Sequence, residues 1–200
     1  MNKRTLFIGG SPCSGKSTLA EMLYNDYKAY YFKVDDHLEE YIDKAAEEGK
    51  KTCRKYKELS PDEIWMKDPY EHCQDEFRIY EEISSYIFEK IEEIDADLIV
   101  TEGAAYTPEV MKKHGYKDYV TLIPTPEFQI EHYRKREWVK YVMADCIDKR
   151  AAFDNWMKRD ILFGKQVKKQ CIEKGITCIV NDGSKTIEEL YKHLKREFNI

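Results

Sequence analysis

Gly9-Gly10-Ser11-Pro12-Cys13-Ser14-Gly15-Lys16-Ser17-Thr18 follows the apolar run Leu6-Phe7-Ile8 and precedes Leu19, Met22 and Leu23, which share one side of a helical pattern. Gly10 to Ser17 spells Gly-x4-Gly-Lys-Ser between a predicted strand and a predicted helix, the setting in which that spacing binds polyphosphate. The glycines let successive backbone N–H groups turn inward, and the helix adds the positive end of its dipole. Lys16 is expected to reach the β- and γ-phosphates and Ser17 to offer its hydroxyl to Mg²⁺. Gly10, Ser11, Pro12, Cys13, Ser14, Gly15, Lys16, Ser17 and Thr18 together form the candidate nucleotide cradle.

Working outward, the β-rich runs are Thr5 to Gly9, Tyr30 to Val34, Leu98 to Thr101, Tyr119 to Ile123 and Thr177 to Val180. Each is apolar on both faces and the gaps between them read as helical, the pattern of a parallel sheet covered on both sides. Ser60-Pro61-Asp62-Glu63 and Thr186 to Glu189 are capping boxes, and Thr107-Pro108 and Thr125-Pro126 repeat a cap-then-Pro start. Ile79, Ile83, Tyr86, Ile87, Ile91 and Ile94 form the stripe of one amphipathic helix. Ile187, Leu190, Tyr191, Leu194 and Phe198 form that of a closing one. Between the second and third strands lie about 60 residues, and between the fourth and fifth about 50, more than one crossover helix needs.

The 200 residues and net charge of −5 describe a small acidic chain, sized for one domain. No apolar run approaches the roughly 20 residues of a membrane span or the roughly 7–15 of a signal peptide, so the sequence reads as cytoplasmic. Cys13, Cys53, Cys73, Cys146, Cys171 and Cys178 contain no CxxC pair, which argues against a disulfide framework and a zinc site. Residues 35–97 hold 21 acidic and 9 basic side chains, whereas residues 134–169 hold 11 basic and 5 acidic. The pI of about 5.7 argues against nucleic-acid binding through the basic segment. An acidic insertion receives anions poorly, which points to a neutral or cationic hydroxyl compound as substrate. Trp65, Tyr70, His72 and Phe77 read as a small helical core rather than a base-stacking surface, and His37 as a surface histidine.

The cradle and the two insertions resemble the P-loop NTPase superfamily, and within it the nucleoside, nucleotide and small-metabolite kinases. That resemblance implies one three-layer α/β/α domain over residues 1–200, with a five-stranded parallel sheet. It also implies a helical substrate-binding insertion at 37–97, a helical lid at 126–174, and ATP with Mg²⁺. No NKxD or DxxG motif is present, which disfavours a GTPase. Val34-Asp35-Asp36-His37 leaves the second strand at the sheet's C-terminal edge, where ligands of such sheets bind. By the resemblance Asp35 is the general base, with Asp36 second and substrate-binding. Glu102 is similar to the Walker B acid, holding metal with Ser17 and lying beside substrate with Gly103. Arg134 is the first lid-arginine candidate and Arg136 the second, contacting nucleotide phosphate; Arg150 and Arg159 follow. The loop Asn181-Asp182-Gly183-Ser184 occupies the place where related kinases wrap adenine. The activity implied is transfer of the γ-phosphoryl of ATP to a hydroxyl of a small molecule, by a monomer or homodimer. A nucleoside or nucleotide kinase is the alternative, zeta-toxin and antibiotic phosphotransferase groups are compatible, and an ATP-binding regulatory module is the alternative from another class.

Overall fold

A computed structural model describes residues 3–200. Five strands form one parallel sheet: β1 (Arg4–Gly10), β2 (Tyr30–Lys33), β3 (Leu98–Glu102), β4 (Tyr119–Pro124) and β5 (Cys178–Asn181). Their spatial order is β2-β3-β1-β4-β5. Central β1 pairs with β3 (Leu6 beside Val100) and with β4 (Ile8 beside Val120), so the order reverses at β1 and opens a crevice beyond its C-terminal end.

The alternation of side chains along β1 builds two cores from one strand. Leu6 and Ile8 face α1 (Lys16–Tyr27) and the closing helix Ile187–Phe198, meeting Leu19, Leu23, Leu194 and Phe198. Phe7 faces the opposite layer, packing edge-on against Tyr106 with ring centroids 5.2 Å apart. That layer contains α5 (Pro69–Glu93), α6 (Pro108–His114) and α9 (Lys149–Lys174). The architecture is three layers, α/β/α. Gly10 is the tightest point of the sheet edge: its φ is +119°, and a Cβ there would lie 1.8 Å from the Leu122 carbonyl oxygen. Only glycine satisfies both constraints.

Between β2 and β3, the 3₁₀ turn Val34–His37 leads into α2 (Leu38–Glu47), α3 (Lys51–Lys57) and α4 (Pro61–Trp65) before α5. The Ser60–Glu63 box is present in both directions, and Asp68 caps α5 by accepting from the amides of Tyr70 and Glu71. Between β4 and β5 lie α7 (Pro126–Arg134), α8 (Val139–Val142) and α9. Here Tyr133, Val139, Met143, Trp156 and Met157 make a third core that includes Cys13 of the cradle. Thr125 precedes α7 with cap-like dihedrals, but its side chain accepts no amide hydrogen bond, unlike the caps Thr107 and Thr186. Its backbone N–H instead donates to Asn181 O at 3.0 Å, tying β4 to β5. The closing helix, α10 (Ile187–Phe198), carries its complete Thr186–Glu189 box. No described helix is long and apolar enough to cross a membrane.

Candidate functional site

The cradle turns out of β1 with Gly10 and Gly15 at positive φ and a third such residue, Cys13, at φ 62°. A non-glycine residue rarely adopts that region, and it persists here because Cys13 is buried against the lid core. Lys16 is the first residue of α1, and its Nζ donates to Ser11 O at 3.0 Å across the loop. Asn181, at the end of β5, braces the loop from outside by donating Nδ2–H to Ser14 O at 3.0 Å. The buried Ser14 hydroxyl has no partner among the described residues.

Glu102 is fully buried at the end of β3, one strand from the cradle. Its Oε1 accepts from the Ser17 hydroxyl at 3.0 Å and from the Tyr31 hydroxyl at 3.3 Å. Its Oε2 is buried without a partner among the described residues. Burial pushes this carboxyl above the usual range, Lys16 opposes that, and Asp35 adds to it. An orphaned carboxylate oxygen beside a serine hydroxyl, all hard oxygen donors, fits a magnesium ion with its bound waters. Ser17 and Glu102 are therefore the residues that would hold Mg²⁺. Tyr31, which the sequence did not single out, orients that carboxylate.

Asp35 opens the turn after β2. It is accessible from the crevice yet crowded by protein elsewhere, and burial raises its carboxyl against the pull of Lys16 first and Lys33 second. The Ala104 amide, in the loop after β3, lies near it and offsets part of that rise. Gly103 permits this approach: a Cβ there would lie 2.9 Å from Val34 Cβ and 3.4 Å from Asp35 Oδ1. Asp36 is exposed and pairs with Lys33 at 3.5 Å, close enough for its charge to add to the rise of the Asp35 carboxyl.

Of the lid arginines, Arg136 is the nearer to the cradle. It lies over the rings of Tyr133 and Trp138, 5.6 Å from each centroid, and its charge opposes the rise of the Cys13 thiol pKa. Arg134 is exposed at the end of α7 and makes no side-chain hydrogen bond or ion pair among the described residues. Arg159 is buried in α9, where it pairs with Glu76 and, at 2.7 Å, with Asp160. Asp160 in turn accepts from Tyr133 OH at 2.8 Å and from Gln129 Nε2 at 3.5 Å. Gln129 also donates to Pro12 O at 3.3 Å, so this buried network ends on the cradle. Sequence reasoning had no signal for it beyond the basic segment, because α5, α7 and α9 meet only in the fold.

A cavity of about 190 Å³ lies between the insertion helices, α5 and Arg159 of α9. Tyr80, at its wall, feels the Asp35 charge. Trp65 and His72 line it, whereas Tyr70 is exposed and Phe77 stacks on Phe163 in the core at 4.6 Å.

Two solved structures share this fold. Shikimate kinase from Bacteroides thetaiotaomicron superposes with a TM-score of 0.54 at 16% identity, covering 98% of each chain. Shikimate kinase from Acinetobacter baumannii, solved in complex with shikimate, gives 0.52 at 14%, covering 98% of this chain and 94% of that one. The fold is that of a P-loop kinase. No protein-family model matches the chain, and no curated protein sequence does either. The P-loop kinase fold thus rests on three-dimensional similarity together with the cradle motif.

Proposed function

We propose that this chain transfers the γ-phosphoryl group of ATP to a hydroxyl of a small molecule seated in the cavity between the insertion helices and α5. The observation that carries the reading is the convergence of Lys16, the Ser17–Glu102 pair and Asp35 on one sheet edge, with Tyr80 of the cavity wall within reach of the Asp35 charge. In transfer, the acceptor oxygen bonds to the γ-phosphorus as the bond to the bridging oxygen of ADP breaks. The acceptor's proton passes to Asp35. Lys16, the cradle amides and Arg136 stabilise the charge on the equatorial oxygens. Ser17 and Glu102 would hold Mg²⁺, which would supply neutralising charge to the nucleotide phosphates, and Tyr31 keeps the Glu102 carboxylate oriented. Asp36 and Arg134 fall to supporting roles, substrate contact and lid charge. The acidic insertion at 37–97 and the lid at 126–174 belong to one domain over 1–200. The six free cysteines suit a cytoplasmic setting, as monomer or homodimer.

The test is ADP release with and without acceptors. ATP should turn over slowly alone and faster with an acceptor, and Lys16→Ala should abolish transfer while keeping the wild-type circular dichroism. ATP hydrolysis at one rate regardless of any acceptor favours the regulatory-module alternative and ends the kinase reading.

A further inference from the structure

The cavity carries a statement about acceptor charge. Leu38, Ile42 and Ile79 supply apolar wall, and Tyr56, Trp65 and Tyr80 supply rings. Its volume of about 190 Å³ equals that of about six waters at roughly 30 Å³ each, room for a one-ring molecule. Of its charged lining residues, all but Lys55 are paired. Arg159 sits between Glu76 and Asp160, over the Trp65 ring at 5.7 Å. Lys67 pairs with Asp75, which also holds Arg78 at 2.9 Å. Lys55, the remaining cation, is exposed to solvent at the rim.

Resting on the kinase reading above, we infer that this cavity takes an uncharged, single-ring alcohol and excludes carboxylate- and phosphate-bearing acceptors. An anionic acceptor would compete for Arg159, whose charge Glu76 and Asp160 already balance, and would crowd those two buried carboxylates. A cationic acceptor meets the mirror problem, because Glu76 and Asp75 already hold cations. Apart from exposed Lys55, what remains free is neutral. Neither the His72 imidazole nor the Tyr56 hydroxyl has a side-chain partner among the described residues, and burial keeps His72 uncharged at neutral pH. An imidazole and a phenol supply donors and acceptors for hydroxyls or ring heteroatoms without demanding charge. Neutrality here comes from local pairing, not from the acidic balance of the insertion. It separates this cavity from that of the fold relative solved with shikimate, an acid.

The test is a panel of acceptors with ATP and Mg²⁺, scored by kcat/KM for ADP release. The panel contains hydroxymethyl pyridines and pyrimidines and a neutral cyclitol, then shikimate, quinate and a nucleoside monophosphate, then an amino sugar. A neutral member is expected to exceed every charged one by at least about 10-fold, the worth of one charge-assisted hydrogen bond. Preference for an anionic or amino acceptor overturns the charge inference and leaves the kinase reading standing. ADP·Mg²⁺ binding with no transfer to any class overturns both. Glu76→Gln, which loosens one hold on Arg159, should raise the ratio of shikimate to neutral acceptor by on the order of 10-fold; an unchanged ratio in a folded, ADP-binding variant counts against the inference. If that variant fails to fold, the wild-type panel decides alone.

Discussion

Asp35 lies in the turn after β2 and His72 in the wall of the cavity, and their environments set opposite demands on protonation. Asp35 takes a proton only when ionised, and crowding by protein lifts its carboxyl above the ordinary value near 4. The acid limb of kcat/KM should therefore have its midpoint above that value. Asp35→Asn should lower turnover roughly 10²–10⁴-fold with ADP affinity nearly unchanged. Wild-type turnover in that variant removes Asp35 as the base. His72 goes the other way: burial first, then Arg159 and Lys67, lower its pKa to about 3. The unfolded chain binds this proton below about pH 6.5, and the folded chain does so only near 3. Stability from His72 is thus fully present above pH 6.5 and declines as pH falls through that window, by up to about 1.4 kcal/mol per unit. Urea midpoints of His72→Gln should show a shallower decline between pH 6 and 4; parallel slopes for the two proteins would refute this.

Elements were legible where local chemistry decides them and obscure where packing does. The strands stood out because burial on both faces requires continuous apolar runs, and Leu6, Phe7 and Ile8 indeed feed two separate cores. The caps at Ser60, Thr107 and Thr186 act as their sequence implies. Thr125 carries the same Thr-Pro signature but its side chain caps nothing, because its backbone is committed to β5 through Asn181. Thr186→Ala should therefore cost about 1 kcal/mol, a lowering of Tm by about 2–4 °C, whereas Thr125→Ala should leave Tm nearly unmoved. Equal losses in a thermal melt would show that the Thr186 box is not what holds α10. The site divides the same way. Lys16, Ser17, Asp35 and Glu102 were readable because each lies at a strand end or in a motif. Tyr31, Gln129 and the Arg159–Glu76 pair were not, since their partners lie 71, 117 and 83 residues away and meet only through crossing helices and neighbouring strands.

For the whole molecule, the sheet separates scaffold from site along its length. The C-terminal strand ends carry the cradle, Asp35 and Glu102. The opposite end is closed by Arg4, whose guanidinium binds Asp118 at 2.9 Å and the Phe198 carbonyl at the end of α10. Substitutions at the two ends share no partners and should act additively. Phe198→Leu trims a fully buried ring at the closed end and should lower Tm by an amount matching up to about 1.5 kcal/mol. ADP·Mg²⁺ at 100 times its Kd should then stabilise wild type and Phe198→Leu equally, by about 2.7 kcal/mol. Lys16→Ala, with a baseline Tm close to wild type, should lose most of that increment, because the cation that meets the phosphates is gone while the cores are untouched. Differential scanning fluorimetry across a nucleotide titration reads all three chains at once. A full ADP·Mg²⁺ shift in Lys16→Ala would place the nucleotide elsewhere on the protein, and a reduced shift in Phe198→Leu would mean that the two ends of the sheet are energetically coupled.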